Sequence, residues 1–498
     1  MKRKFKGIGL RENPAPEYDA VIIGAGVGGL MTGNLLAQQG MKVLLVEQHY
    51  VVGGYCSAFN RKRFQFDAAS HFYPLLGNTE SMTGKLLKQL EIPTEWEKMD
   101  PVDHFNFPDG TKYSVPASFD QYMADLKRMF PEERENLDAF FKEVNTLYLL
   151  GLLVYFRGRP TNRIDPYKHQ TLRDALDRHF TSKKLKLLLT ADCPHWGSPP
   201  RRISYVFDSM LRLSYFLGNY YPKGGSQAFA DDLAARFEQQ GGDIILRADV
   251  RRIIVKKDRA RGIEIEHGPE KNRRRTIVGS PIVVSNADIS QTASRLLGPE
   301  LVGKEYLDNL KSFRTSYPCY LMHIGLNDTR EEELYDAQGY HWRHWDPEEF
   351  GTTGLKFKFF VPTIFDKTIA PKGSQIVIIQ KAMHVDYDKV EDWNEHKAEV
   401  DRMVIENLEQ MIPRFHERVA VRMSASARTS YRYTWNQSGA MLGWEMAPDQ
   451  LGGDRPGTKG PFEGLYYTGH WTQPGGGITP VIVSAMRVAE AVTNTSLI

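Results

Sequence analysis

Cysteine is scarce. The 498 residues hold three, Cys56, Cys193 and Cys319, far apart and without C-x-x-C spacing. That excludes a disulfide framework and a cysteine zinc site, and it suits a reducing compartment. Net charge is scarce too, +3 from 64 basic and 61 acidic residues, too little to imply nucleic acid as a partner. Neither G-x-S-x-G nor H-E-x-x-H occurs, so the hydrolase elbow and the zinc-binding helix are both missing, and no metal is expected. Gly77 to Gly84-Lys85 mimics a phosphate loop, but six residues separate its glycines where the motif needs four. No secretory signal is expected, because charges, Pro14 and Pro16 precede the first apolar run. The chain is therefore expected to be soluble and cytoplasmic. That run, Ala20 to Ala37, is broken by Gly24, Gly26, Gly28, Gly29 and Gly33, and its period changes midway. It reads as strand, turn and helix, and not as a membrane span.

What is present is an ordinary globular composition, 41% hydrophobic and 25% charged, in a chain long enough for two intertwined domains. The basic start Lys2-Arg3-Lys4-Phe5-Lys6 reads as a frayed tail, with contact to an anionic membrane surface as the alternative.

The strongest signal lies in the first fifty residues. Asp19 to Ile23 has the aliphatic character of a buried parallel strand. Gly24-Ala-Gly26-Val-Gly28-Gly29 follows at once, giving G-x-G-x-x-G on Gly24, Gly26 and Gly29. Leu30 to Gln39 has helical spacing and stops at Gly40, and Met41 to Val46 is a second buried strand ending in Glu47. Gly24 permits the tight turn, Gly26 lets a pyrophosphate approach the backbone, and Gly29 lets helix and strand pack closely. The helix start supplies free N–H donors and a positive dipole end. Glu47 stands where a carboxylate can accept the ribose hydroxyls of an adenosine. The expectation is a dinucleotide-binding unit of Rossmann type.

Beyond Glu47 come Gly53-Gly54-Tyr55-Cys-Ser57-Ala-Phe59 and Phe64-Gln-Phe66-Asp67-Ala-Ala69-Ser-His71-Phe72. Here the sequence resembles the flavin-containing amine oxidase and phytoene desaturase superfamily, and the Asp67-to-His71 version is closer to carotenoid isomerases and retinol saturases. It departs from the common pattern at Tyr55, where Arg is frequent, and at Ala69, where Gly is usual. Tyr221-Pro-Lys-Gly224-Gly225, then Gly241-Gly242, then Val250 to Ile253, resembles the superfamily's second FAD-domain segment, and Pro281 to Asp288 resembles a strand returning to that domain. Gly464 to Gly469 resembles its final strand, with Pro474 to Ile478 opening the last helix. The resemblance implies FAD held by Gly24, Gly26, Gly28, Gly29, Glu47, Gly53, Gly54, Ser57, Val250, Gly469, Gly476, Gly477 and Ile478. His470 replaces the Asp that many FAD enzymes carry after the glycine of that strand. The implied fold is α/β: a discontinuous Rossmann-type FAD-binding domain (1–110, 218–290 and 456–498) with a mixed-sheet and helical substrate domain (111–217 and 291–455). The basic stretch Lys271 to Arg275 reads as a solvated hairpin tip.

On the substrate side, Val144 to Phe156 is markedly apolar, and Tyr205, Phe207, Tyr215, Phe216, Tyr220 and Tyr221 form an aromatic stretch. They read either as core or as a greasy tunnel for an apolar isoprenoid substrate. The apolar segment is too short to span a bilayer, yet suited to peripheral membrane contact. Trp342, Trp345, Trp435, Trp444 and Trp471 face the same choice between cavity and core. His71 and His470 are the candidate catalytic residues, to position substrate or carry a proton. The function implied is FAD-dependent desaturation, saturation or cis-trans isomerisation of a long carotenoid or retinoid polyene. The alternatives are a flavin amine oxidase and a prenyl-protein carrier of the same fold without flavin.

Overall fold

A computed structural model describes residues 4–351 and 353–497. Five parallel strands make one sheet in the order β5-β4-β1-β2-β3: β1 is Ala20–Ile23, β2 Val43–Glu47, β3 Asp243–Leu246, β4 Ile282–Ser285 and β5 Leu465–Tyr467. β1 and β2 are buried at every position, which is why they read as unbroken aliphatic runs. The helices that matter for the site are α1 (Val27–Gln38), α2 (Arg134–Gly151), α3 (Tyr205–Phe216), α4 (Ser226–Gln239) and α5 (Ile478–Thr493).

α1 begins three residues earlier than the sequence pattern suggests, inside the glycine fingerprint, because glycines carry no apolar periodicity to mark a helix start. It lies against α4 and α5. Asn34 Nδ2 donates to Leu30 O and Leu233 O, both at 2.9 Å, and a Cβ at Gly33 would stand 3.1 Å from Phe237. Asp249–Lys256, Arg259–His267 and Arg274–Gly279 form a three-stranded antiparallel sheet beside this unit. The basic stretch at 271–275 lies at the turn between the last two strands, where Arg273 and Arg275 pair with Glu266.

The second layer is a mixed seven-stranded sheet ordered Val419–Ala425, Cys319–Leu326, Gln375–Ala382, Leu355–Phe360, Gly339–Trp342, Asp103–Asn106 and Lys112–Val115. Asp103–Asn106 thus pairs within this sheet, although the sequence division places residues up to 110 with the nucleotide-binding part. The pairing joins strands more than 230 residues apart, which no local pattern encodes.

The expected frayed tail is a correction. From residue 4 onward the N-terminus is pinned: Lys4 pairs with Asp232 at 2.6 Å, the Lys6 N–H donates to Glu238 at 2.7 Å, and Phe5 is buried. Lys2 and Arg3 lie outside the described residues. The apolar segment 144–156 belongs to a longer element. Pro131–Phe156 is helical throughout, 26 residues, and by length and composition long and apolar enough to cross a membrane. Its length was hidden because the charged first half shows no continuous apolar run. Val144, Leu147 and Leu150 sit in the core, whereas Leu149 is 60% exposed. Of the tryptophans, Trp342, Trp444 and Trp471 are core residues, Trp345 packs against the core, and Trp435 faces the cavity described next.

Candidate active site

A cavity of about 580 Å³ runs between the two sheets. One end lies over the β1–α1 turn and the end of β2. The other reaches Tyr148, Leu152 and Phe156 of the long apolar helix and Phe207, Met210 and Leu211 of α3. Among the residues singled out from the sequence, Gly24, Gly26, Gly28, Glu47, Gly53, Gly54, Ser57, Val250, Gly469, Gly477 and Ile478 line it, as do His71 and His470. Gly29 and Gly476 stand behind the wall. A Cβ on Gly29 would come 2.0 Å from Gly24 O, and one on Gly476 would come 2.4 Å from Leu442 O.

The wall is bare backbone where a diphosphate needs it to be. Gly26 caps α1 in an extended conformation with no side-chain hydrogen bond to the first turn, so the opening N–H groups are free for an anion. A Cβ on Gly28 would meet Asn286 Oδ1 at 2.5 Å and the Gly469 backbone at 3.1 Å. Gly53 pairs with Gly26 as an isolated bridge, and its N–H donates to Ala25 O at 2.8 Å. α5 also starts on an uncapped glycine, Gly477, at φ 104°. Glu47 is buried; its oxygens accept the Ala25 and His49 N–H groups at 2.7 and 2.8 Å. Burial pushes this carboxyl above the usual range, while those amides pull it back. Each oxygen retains a lone pair for a further donor. These residues fit an adenine dinucleotide.

Tyr55, in place of the common Arg, donates to Ala440 O at 2.9 Å and so ties the glycine loop to the second lobe. His470 Nε2 lies 3.4 Å from Asn436 Oδ1, and burial holds its imidazole down at about 4, with the Arg455 charge adding to the effect. His71 is buried, stacks on Phe360 at 4.8 Å, and has no hydrogen-bond partner at either ring nitrogen. Its pKa lies well below the usual range, through burial first and then the Lys358 charge.

A pH experiment follows from His470. The unfolded imidazole titrates near 6.5 and the folded one near 4. Between those values only the unfolded chain takes up the proton, so stability is lost as pH falls through that window. Wild type is expected to lose about 2 kcal/mol relative to His470→Asn between pH 7 and pH 4, less than the full shift because one face of the ring meets the cavity. Urea unfolding of both proteins at the two pH values checks this.

Some lining residues gave no sequence signal. Arg295, 3.4 Å above the Trp435 ring, lines the nucleotide end, and His195 and His323 line the middle. Asn286 donates to Gly24 O at 3.2 Å and braces the fingerprint turn. Arg295, His195 and His323 converge from distant segments, and a lone Arg or His carries no motif, whereas Asn286 lies within the Pro281-to-Asp288 segment already marked by the resemblance.

Fold and cavity together define a dinucleotide-binding protein of Rossmann type. Residues 27–493 match the family of flavin-containing amine oxidoreductases, and the chain belongs to that family; its cofactor is FAD. It is 25% identical to the all-trans-retinol 13,14-reductase of Danio rerio, over 94% of this chain and 85% of the relative. It is 26% identical to prolycopene isomerase 1 of an Oncidium hybrid cultivar, over 96% of this chain and 84% of that one. Among solved structures, an oxidoreductase from Methanosarcina mazei superposes with a TM-score of 0.66 at 19% identity, covering 95% of this chain and 99% of its own.

Proposed function

We propose that this protein oxidises, reduces or isomerises a long apolar polyene of the carotenoid or retinoid class, using FAD held along the cavity floor. The observation that carries the reading is the continuity of the cavity. One space joins the glycine-walled dinucleotide cradle to a slot walled by Tyr148, Leu152, Phe156, Phe207, Met210 and Leu211, so an apolar chain in the slot abuts the cofactor. The named activities of the retinol reductase and the prolycopene isomerase support the substrate class.

In this reading Glu47 accepts the adenosine ribose hydroxyls, the α1 amides hold the diphosphate, and Val250 meets the adenine. The α5 amides face the ring end, where they favour negative charge. Gly53, Gly54 and Ser57 border the diphosphate, and Gly469, Gly476, Gly477 and Ile478 close the far side. Bound FAD supplies two-electron redox chemistry that the side chains lack. The protein orients the polyene, keeps water out of an apolar slot, and leaves neutral imidazoles at His71 and His470 to position substrate or accept a proton at the unprotonated nitrogen. Anaerobic mixing of the purified yellow protein with a carotenoid or retinoid, with product analysis, tests the reading. Bleaching by an amine, with no polyene converted, overturns it.

A substrate that water does not dissolve partitions into membranes. Leu149 is exposed one residue from the cavity-lining Tyr148, which supports peripheral contact through this helix. Leu149→Glu is expected to lower cosedimentation with anionic vesicles several-fold and to leave flavin content unchanged. Equal sedimentation of both proteins counts against membrane contact at this helix.

A further inference from the structure

Midway along the cavity the apolar wall is interrupted by imidazoles. His195 stands on the short turn Cys193–Trp196, half-buried, with its ring edge-on to Phe72 at 5.0 Å and to Trp196 at 4.9 Å. Its ring makes no hydrogen bond among the described residues. His71, next to Phe72 in the chain, has two buried ring nitrogens that are likewise without partners. The neighbouring cation, Lys358, is already engaged: its Nζ is 2.7 Å from Asp103 Oδ2 and 3.7 Å from the Phe72 ring centre. Another imidazole of the wall, His323, is also committed, with Nε2 2.9 Å from Asp67 O. Among the described residues, His71 and His195 thus make no ring hydrogen bond in this stretch of the wall. Buried polar groups in native proteins have partners, and the buried, unpaired ring of His71, with the half-buried His195 ring on the same cavity wall, suits a ligand's polar atom.

The charge state narrows the ligand. Burial, together with the Lys358 charge, keeps His195 neutral, at about 3, and His71 neutral as well. A neutral imidazole offers one N–H donor and one lone-pair acceptor. Lys358 is neutralised by Asp103, and the nearby Asp192, raised by burial to about 6, adds no positive charge. This patch does not compensate a carboxylate, but it suits a hydroxyl or a carbonyl.

Resting on the polyene reading, we propose that the natural substrate carries one neutral oxygen function, a hydroxyl or carbonyl, bound by His195 with His71 beside it. His195 is thus a specificity-determining residue. Pure hydrocarbon polyenes fit the slot but leave both rings unpaired, and a site built for a hydroxyl discriminates against the analogue that lacks it.

The test is a binding titration of the FAD-loaded protein with retinol and with its hydrocarbon counterpart lacking the oxygen. Wild type is expected to bind the alcohol at least about tenfold more tightly, a ratio two net hydrogen bonds supply. His195→Phe is expected to lower that ratio about fivefold with flavin content unchanged, whereas His195→Gln, which keeps a donor and an acceptor, retains a preference nearer that of wild type. Equal binding of the two polyenes by wild type, or an undiminished ratio in His195→Phe, overturns the inference and leaves the polyene reading standing. If neither polyene binds the yellow wild-type protein, the polyene reading falls and this inference with it.

Discussion

Gly29→Ala is expected to yield protein with less than about a tenth of the wild-type flavin content. The added Cβ would lie 2.0 Å from Gly24 O, and a backbone oxygen in a turn pinned by the bond from Gly24 N–H to Val46 O has nowhere to move. Overpacking ordinarily costs about 1–3 kcal/mol; a clash between two backbone segments exceeds that unless α1 shifts away from β1. Such a shift carries off the amides that face the diphosphate. Flavin absorbance per mole of purified protein measures the loss, and circular dichroism reports whether the fold survives. Gly453→Ala, where an added Cβ meets nothing within 4 Å, is the matched control and stays yellow. A fully flavinated Gly29→Ala protein would show that the glycine turn does not set the cofactor's seat.

Asp208→Ala is expected to cost about 3–5 kcal/mol of stability. On α3, Asp208 holds Arg212 with both oxygens at 3.0 Å, the guanidinium also donates to Leu189 O at 2.6 Å, and neither side chain is more than 8% exposed. Removing the acid leaves a buried guanidinium without its bidentate partner, with only the less direct Asp192 carboxyl near it. The guanidinium stays charged and does not shed its proton to escape. The double variant Asp208→Leu/Arg212→Met takes out both charges and keeps the bulk, so it is expected to lie nearer wild type than Asp208→Ala does. Denaturant midpoints of the three proteins settle the order. The consequence reaches the slot, because the same helix carries Phe207, Met210 and Leu211 on the cavity wall.

Those two sites differ in how far the sequence announced them. Gly29 was legible because its role is local: it follows a short aliphatic strand and opens a helix, and one motif spans the whole device. The β1–α1–β2 unit and the Glu47 terminus were readable for the same reason. Asp208 and Arg212 stand one helical turn apart, yet nothing in that spacing tells a buried pair from a solvated one. His195 and Arg295 were illegible because they meet the site only through tertiary contacts with Phe72 and Trp435, more than a hundred positions away. The pinned N-terminus escaped notice in the same way, since the pocket that buries Phe5 is built from residues far along the chain. Pairing of Asp103–Asn106 with Gly339–Trp342 is a register fixed by the assembled sheet, and composition has no access to it.

The order in which strands enter the parallel sheet has a biosynthetic consequence. β5, the edge strand, is Leu465–Tyr467, and the last wall of the cavity, Gly469 to Val481, follows it. A nascent chain that has emerged up to residue 460 has four strands in place, with the outer edge of β4 unpaired and the seat for the dinucleotide open on one side. Unpaired edges recruit other chains, and contacts this remote in sequence form late. Cofactor capture therefore waits until β5 has paired with β4 and the segment behind it has closed the cavity.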